Sequence, residues 1–367
     1  MILIDTLNTM TSPKVAILIS TMDRPDFLIR TLSYYAKMKS PHPVYLSDSS
    51  NPENVKKITS FIDKIKDGLE VHYNWYPPGL EVTDKTLSLV KEKYAVINGD
   101  DDYEIPSTLT RGAEFLDKNP DYIAAGGYGV SFRLKTSGPY GEIKRLADYP
   151  NHSLESETAA QRLFDFMKKC YVITFSVNRI DHLKKIWVVP LPIITTWSEL
   201  FQVCYCAVSG KVKLMDCLGV IRQIHDRQYH ANLMIDWLTE KEFHNNYETF
   251  KSHISKKITE MDNINDIQAQ DVVKKAFWEY LQLAMADEQK ALGTNNKPTT
   301  NLAIFKSLRA KTTTAFPVLK TLYRRHLRPF VSNKKQMHYE VTDPNSPYYK
   351  DFKNVLDSFT GKDIKNI

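Results

Sequence analysis

Residues 14–20, KVAILIS, form an almost unbroken apolar run, and no other feature of the sequence narrows its fold so far. A strand with one wet face alternates polar and apolar residues. A continuous run is buried on both faces, which is the condition of a parallel strand covered by helices. Parallel neighbours need crossover helices, and the sequence supplies one at once. Asp23 and Arg24 precede Pro25, an arrangement read as a capping acid before a first-turn proline, and Leu28, Ile29, Leu32 and Tyr35 then recur at helical spacing.

The alternation continues. A short strand over 44–46 ends at Ser47, Asp48, Ser49 and Ser50; a helix is expected over 54–65 and a strand over 71–75. After the breakers Pro77, Pro78 and Gly79, a helix over 83–93 leads to an apolar strand, 94–98, that stops at Gly99 and three aspartates. A helix over 106–118 and a strand over 122–128 follow. Residues 136–156, rich in Gly, Pro and polar side chains, read as a surface loop or lid. Helices over 159–169, 181–185 and 196–209 and strand-like stretches over 171–177 and 212–224 complete the pattern. Beyond residue 233 the chain turns helical and charged. The expected organisation is an α/β catalytic domain over 1–232 and a helical, basic region over 233–367.

A net charge of +6 over 367 residues is mild and gives no reason to expect a nucleic-acid partner. The opening MILIDTLNTM carries an early acid and lacks the basic flank of a secretory signal, and no window reaches the ~18 apolar residues of a membrane span. A cytoplasmic location is expected. Cys170, Cys204, Cys206 and Cys217 lie in apolar stretches without metal-site spacing, as buried reduced thiols do.

Asp100, Asp101 and Asp102 close a buried strand at the carboxyl edge of the sheet, where open α/β folds bind ligands. Adjacent carboxylates repel one another, and a divalent cation relieves that repulsion. The plainer alternative is a solvated acidic turn ahead of the helix at Pro106.

The order KVAILISTMDRP, VYLSDSS, YAVINGDDDYEIP resembles the nucleotide-binding half of family-2-like, metal-dependent, inverting GT-A glycosyltransferases, over roughly the first 130 residues. The resemblance implies a Rossmann-like, doubly wound, mostly parallel sheet with a C-terminal helical region. It implies that Asp48 contacts the nucleotide base, that Ser20, Thr21 and Arg24 line the same pocket, and that Lys85, where an arginine is more usual, lies near the donor. The family commonly writes Asp-x-Asp-Asp with a proline four residues on. Aligning on Pro106 puts Gly99 at the first acid and leaves Asp101 and Asp102 as metal ligands; the plain Asp-x-Asp pattern selects Asp100 and Asp102 instead. Asp100 is therefore kept as a donor-site candidate. Glu199 falls where the family carries its acceptor-facing base, although Ser198 replaces the preceding acid. His225 falls where several GT-A enzymes have a third metal ligand, and a histidine among carboxylates suits manganese better than magnesium. Arg222 and Arg227 would neutralise the departing diphosphate.

From residue 289 to 339 there is no Asp or Glu, while lysines and arginines lie beside apolar stripes. This fits either a helical subdomain packed on the core or a surface that meets anionic membrane from the cytoplasmic side. The expected activity is transfer of a sugar from a diphosphate-activated donor, a nucleotide sugar first, to a glycan or lipid-linked glycan in cell-surface polysaccharide synthesis. Competing readings are transfer from phosphoribosyl pyrophosphate, a nucleotidyltransferase, and a non-enzymatic basic adaptor. The loop after the first strand has no glycine, which counts against triphosphate binding there.

Overall fold

The structure, a computed structural model, describes residues 12–79, 82–187, 196–226, 234–291 and 336–360. The chain forms two compact units, Met1–Tyr280 with Met337–Ile367, and Leu281–Gln336. Most of the basic stretch, and Arg227, lie outside the described residues, as does the membrane-surface expectation that rests on them.

The opening run becomes β1 (Val15–Thr21), and the proline at the start of α1 (Pro25–Lys37) sets that helix's first turn. Asp23 does not cap α1. It takes a left-handed backbone (φ 53°), and its Oδ1 accepts from Asn51 N, Asn51 Nδ2 and Asn54 Nδ2, at the head of the next helix. Then come β2 (Val44–Asp48), α2 (Pro52–Ile65), β3 (Val71–Trp75), α3 (Thr83–Leu89), β4 (Tyr94–Gly99), β5 (Tyr103–Glu104) and α4 (Pro106–Lys118). β6 (Tyr122–Leu134) runs on for six residues past its expected end and pairs antiparallel with β7 (Ile143–Tyr149). The expected loop over 136–156 is thus partly a strand. Its charged, exposed residues hide the pairing from a search for apolar alternation.

α5 (Ala159–Met167) is followed by a 3-10 turn (Ile173–Phe175), β8 (Val177–Arg179), α6 (Ile180–Ile186), α7 (Thr196–Ser209) and β9 (Lys211–Gln223). Among the described residues five helices follow: α8 (Met234–Leu238), α9 (Phe243–Asp262), α10 (Asp266–Ala291), α11 (Met337–Glu340) and α12 (Tyr349–Phe359). The sheet order is β3-β2-β1-β4-β8-β6-β9-β5, with β7 beside β6. β1 pairs parallel with both β2 and β4, and β2 with β3, as the continuous apolar runs require.

Two packing arrangements bear on the site. α12 lies against α1, and its Phe359 stacks on Phe132 of β6 at 4.5 Å while Ser358 Oγ donates to the Tyr103 hydroxyl at 2.9 Å. In a second cluster, buried Trp197 in the first turn of α7 lies 4.6 Å from Trp237 of α8 and stacks on Phe277 of α10 at 5.7 Å. The helices after residue 233 therefore fix the turn that carries Glu199. Burying an aromatic side chain to this degree stabilises by roughly 3–5 kcal/mol against truncation to alanine.

Candidate active site

Strand register assembles the site. Ser20 pairs with Ser47 and Gly99, and Thr21 with Asp48, so the ends of β1, β2 and β4 lie side by side at the carboxyl edge. After Gly99 the chain turns tightly, and Asp100, Asp101 and Asp102 are all buried. The turn needs glycine. A Cβ on Gly99 would sit 2.7 Å from Asp101 Oδ1 and 3.1 Å from Asp102 Oδ2.

Each aspartate has its own partners. Asp100 accepts from Thr21 Oγ1 at 2.7 Å and from Arg24 Nε at 3.1 Å, with Arg24 Nη2 on its other oxygen. Asp101 Oδ2 lies 3.0 Å from Arg24 Nη1 and 2.8 Å from His225 Nε2. Asp102 accepts from Arg222 Nε at 2.9 Å and from the Gln223 backbone N–H at 3.0 Å. The sequence-selected residues Thr21, Arg24, Asp100, Asp101, Asp102, Arg222 and His225 thus converge from three segments of chain.

Electrostatics separate the three acids. Burial pushes Asp100 up to about 7 although Arg24 pulls it down, and burial pushes Asp102 up to about 6 against Arg222. Burial also acts on Asp101, but the His225 hydrogen bond and the Arg24 charge outweigh it and hold its carboxyl below the usual range. Asp101 is the carboxylate most firmly ionised.

Glu199 is solvent-accessible on α7, yet the protein around it raises its carboxyl above the ordinary value, with Arg222 pulling the other way. Asp48 is enclosed: Oδ1 accepts from the Ser50 N–H at 2.8 Å and Oδ2 from the Tyr73 hydroxyl at 2.9 Å. Ser20 is exposed at the strand end. Lys85 is exposed on α3, its Nζ 5.7 Å from the Tyr76 ring centroid, and has no described contact with the acidic turn.

Several participants escaped sequence reasoning. Arg30 is buried in α1 and donates to the Asp101 carbonyl at 2.7 Å, to Pro139 O at 2.7 Å and to Gln223 Oε1, while Gln223 Nε2 reaches Gly138 O at 2.9 Å. The turn between β6 and β7 is tied to the acids in this way. Arg222 lies over two rings that touch each other, its guanidinium carbon 4.6 Å from the Phe175 centroid and 5.1 Å from that of Tyr149. An arginine at a helical core position is the one sequence signal that would have marked Arg30.

The donor types at the turn, carboxylate oxygens and an imidazole nitrogen, are ones a divalent cation takes. A buried carboxylate oxygen of Asp101 and a buried imidazole nitrogen of His225 face each other, with Asp102 next in the turn, an oxygen and nitrogen set suited to manganese. Among the described residues no group of three or more His, Cys, Asp or Glu side chains is placed to hold a metal ion; Arg24 pairs with Asp101 and Arg222 with Asp102. Among the described residues, too, no helix is long and apolar enough to cross a membrane.

No family model and no curated protein matches the sequence. Among solved structures, the chain is similar to residues 1–349 of S. aureus TarS in complex with UDP-GlcNAc, with a TM-score of 0.50, 13% identity and 75% of each chain covered. Without that ligand, TarS 1–349 gives a TM-score of 0.45 at 13% identity, covering 78% of this chain and 76% of that one. The mannosyltransferase PcManGT from Pyrobaculum calidifontis, in complex with GDP-Man and Mn2+, gives 0.40 at 9% identity, with 84% and 82% covered. At such identities the first of these likenesses bears on architecture alone, and it agrees with the sheet order: the fold is GT-A-like.

Proposed function

We propose that this protein is an inverting glycosyltransferase that moves a sugar from a diphosphate-activated donor to a glycan hydroxyl. The observation that carries the reading is the convergence of three buried aspartates with Arg24, Arg222 and His225 at the carboxyl edge of a GT-A-like sheet. TarS, of similar fold, holds UDP-GlcNAc in its solved complex, which supports a nucleotide sugar as donor.

In this reading Asp101, Asp102 and His225 would hold a manganese or magnesium ion, which when bound would supply positive charge to the leaving diphosphate. Arg222, resting on Phe175 and Tyr149, offers a preoriented guanidinium to the same phosphates. Glu199 takes the proton of the acceptor hydroxyl as its oxygen bonds to the anomeric carbon. The carbon–oxygen bond to the diphosphate breaks on the opposite face, its electron pair leaves with the diphosphate, and the configuration inverts. The raised carboxyl of Glu199 makes it a stronger base than an ordinary glutamate. Catalysis is assigned to residues 1–232, with α8, α9 and α10 packed on the α7 turn through Trp197.

Asp48 bears on the finer question of donor. Each of its oxygens accepts one hydrogen bond, from the Ser50 N–H and the Tyr73 hydroxyl, and keeps a lone pair for a nucleotide base; a donor without a base, such as phosphoribosyl pyrophosphate, is the second reading. Melting the protein with UDP-sugars, GDP-sugars and phosphoribosyl pyrophosphate, with and without Mn2+, separates these, because a ligand of the native state raises its melting temperature. Failure of every donor to shift the melt or support transfer would sink the reading. A lipid-linked acceptor in cell-surface polysaccharide synthesis, reached through the basic stretch at the cytoplasmic membrane face, requires binding to anionic vesicles at low salt; its absence there removes that extension.

A further inference from the structure

The row of side chains that leads to the acidic turn begins at a tryptophan. Register pairs Thr21 with Asp48 and Asp48 with Trp75, and partners in parallel strands send their side chains to the same face of the sheet. Tyr73, two residues earlier on β3, shares that face and donates to Asp48 Oδ2 at 2.9 Å. Thr21 carries the row on to the acids through its bond to Asp100. From β3 to β4 the row crosses β2 and β1, a span of roughly 14 Å at the usual strand spacing, which is the scale of an extended nucleoside diphosphate.

Trp75 is 49% exposed, and Met22, directly after Thr21 on the other side of Asp48, is 57% exposed. A lone apolar side chain at a surface calls for no explanation, but this indole is also fixed in place. Its Nε1–H donates to Ser50 O at 3.0 Å. Ser50 is itself buried: its N–H donates to Asp48 Oδ1 at 2.8 Å, and its Oγ accepts from the Asp23 N–H at 2.8 Å. One serine therefore fastens the ring both to Asp48 and to the loop that carries Arg24. The ring is oriented before any ligand arrives, and half its surface stays open at the sheet edge where open α/β folds bind ligands.

We infer that Trp75 is a wall of the donor site against which an aromatic nucleobase stacks, with the diphosphate leading along the row toward Arg24. This rests on the glycosyltransferase reading and adds the class of donor: a nucleoside diphosphate sugar, since phosphoribosyl pyrophosphate has no base to lay on the ring. An indole offers an apolar π-face to any base, so the contact gives affinity with little choice among bases. It lies far along the row from the acids and is made alike before and during transfer, so it acts on donor affinity and not on turnover.

The test is calorimetric titration of UDP, GDP, pyrophosphate and phosphoribosyl pyrophosphate into the full chain, for wild type, Trp75→Ala and Trp75→Phe, with far-UV circular dichroism to show that each is folded. Wild type should bind at least one of the two nucleotides more tightly than pyrophosphate. Trp75→Ala should weaken that nucleotide by about tenfold or more, while pyrophosphate stays within about twofold, because stacking on an aromatic ring is lost and the phosphate contacts are kept. Trp75→Phe keeps a ring but not the bond to Ser50, and should stay within about threefold of wild type. Unchanged nucleotide affinity in Trp75→Ala overturns the wall, as does an equal loss of nucleotide and pyrophosphate, or a Trp75→Phe protein as weak as Trp75→Ala. Wild type that binds phosphoribosyl pyrophosphate but neither nucleotide also overturns it and leaves the glycosyltransferase reading intact. Wild type that binds none of the four overturns both together.

Discussion

Oδ2 of Asp101 lies 2.8 Å from Nε2 of His225, across 124 residues of sequence, and both side chains are buried. The pair joins the ends of β4 and β9, so it forms only when both halves of the sheet are in place. His225→Ala is expected to lower transferase activity and Mn2+ affinity by about 100-fold, the order seen when a residue that ligates or orients a metal is lost. Paired activity and Mn2+ titrations check this; unchanged Mn2+ affinity in a folded His225→Ala protein removes His225 from the metal site.

Glu199 gives the second prediction. Replacing it with glutamine should reduce kcat by about 10²–10⁴ while donor affinity stays within a few-fold, because a base acts on the acceptor and not on the donor. Wild-type activity should rise with pH along a limb set by a carboxyl whose value lies above the ordinary glutamate range, since only the ionised form accepts a proton. That limb should vanish in Glu199→Gln. A variant that keeps wild-type kcat would place the base elsewhere.

Gly99 tests the fold of the acidic turn. A methyl group there would crowd Asp101 Oδ1 and Asp102 Oδ2, and both carboxylates would have to swing away. Gly99→Ala should therefore cost more than tenfold in Mn2+ affinity, with circular dichroism unchanged. A Gly99→Ala protein with wild-type Mn2+ binding would show that the carboxylates are not held where the metal needs them.

These residues differ in how far the sequence betrayed them. The alternation through β4 and α4 was legible because strands buried on both faces leave continuous apolar runs, and α4 and α7 begin and end where periodicity places them. The aspartates were legible because adjacent carboxylates are rare at the end of a buried strand, whereas Arg24 and His225 were picked out by the GT-A resemblance and Arg222 by its nearness to His225; the structure brings all of them to one turn. Arg30 and Gln223 were not. Their roles come from the approach of the β6–β7 turn to the acids, a tertiary fact that no local pattern records. The same holds for α12, whose Phe352, Val355 and Phe359 read as an ordinary amphipathic stripe until the sheet they cover is known. α3 ends at Leu89, before the expected Lys93, and the β-region backbone of Val90 marks the break.

His182, away from the acids on α6, gives a prediction about stability. Its ring stacks on Tyr205 at 5.8 Å, and burial, with Lys257 and Lys185 nearby, pulls the imidazole down from 6.5 to about 4. As pH falls below 6.5 the unfolded chain takes up a proton at this position while the folded protein resists until about 4. Stability from His182 is thus present above pH 6.5 and lost between 6.5 and 4, by about 2 kcal/mol once its partial exposure is discounted. Asp100 and Asp102 work in the opposite sense over an overlapping window. Raised to about 7 and about 6, they favour the folded state at low pH and lose that contribution as pH rises through those values. The total profile therefore mixes opposing slopes, and the informative quantity is the difference between wild type and His182→Gln in urea unfolding from pH 4 to 7.5. That difference should change with pH below 6.5 and level off above it; a difference constant across the whole range would mean that His182 titrates alike in the folded and unfolded chains.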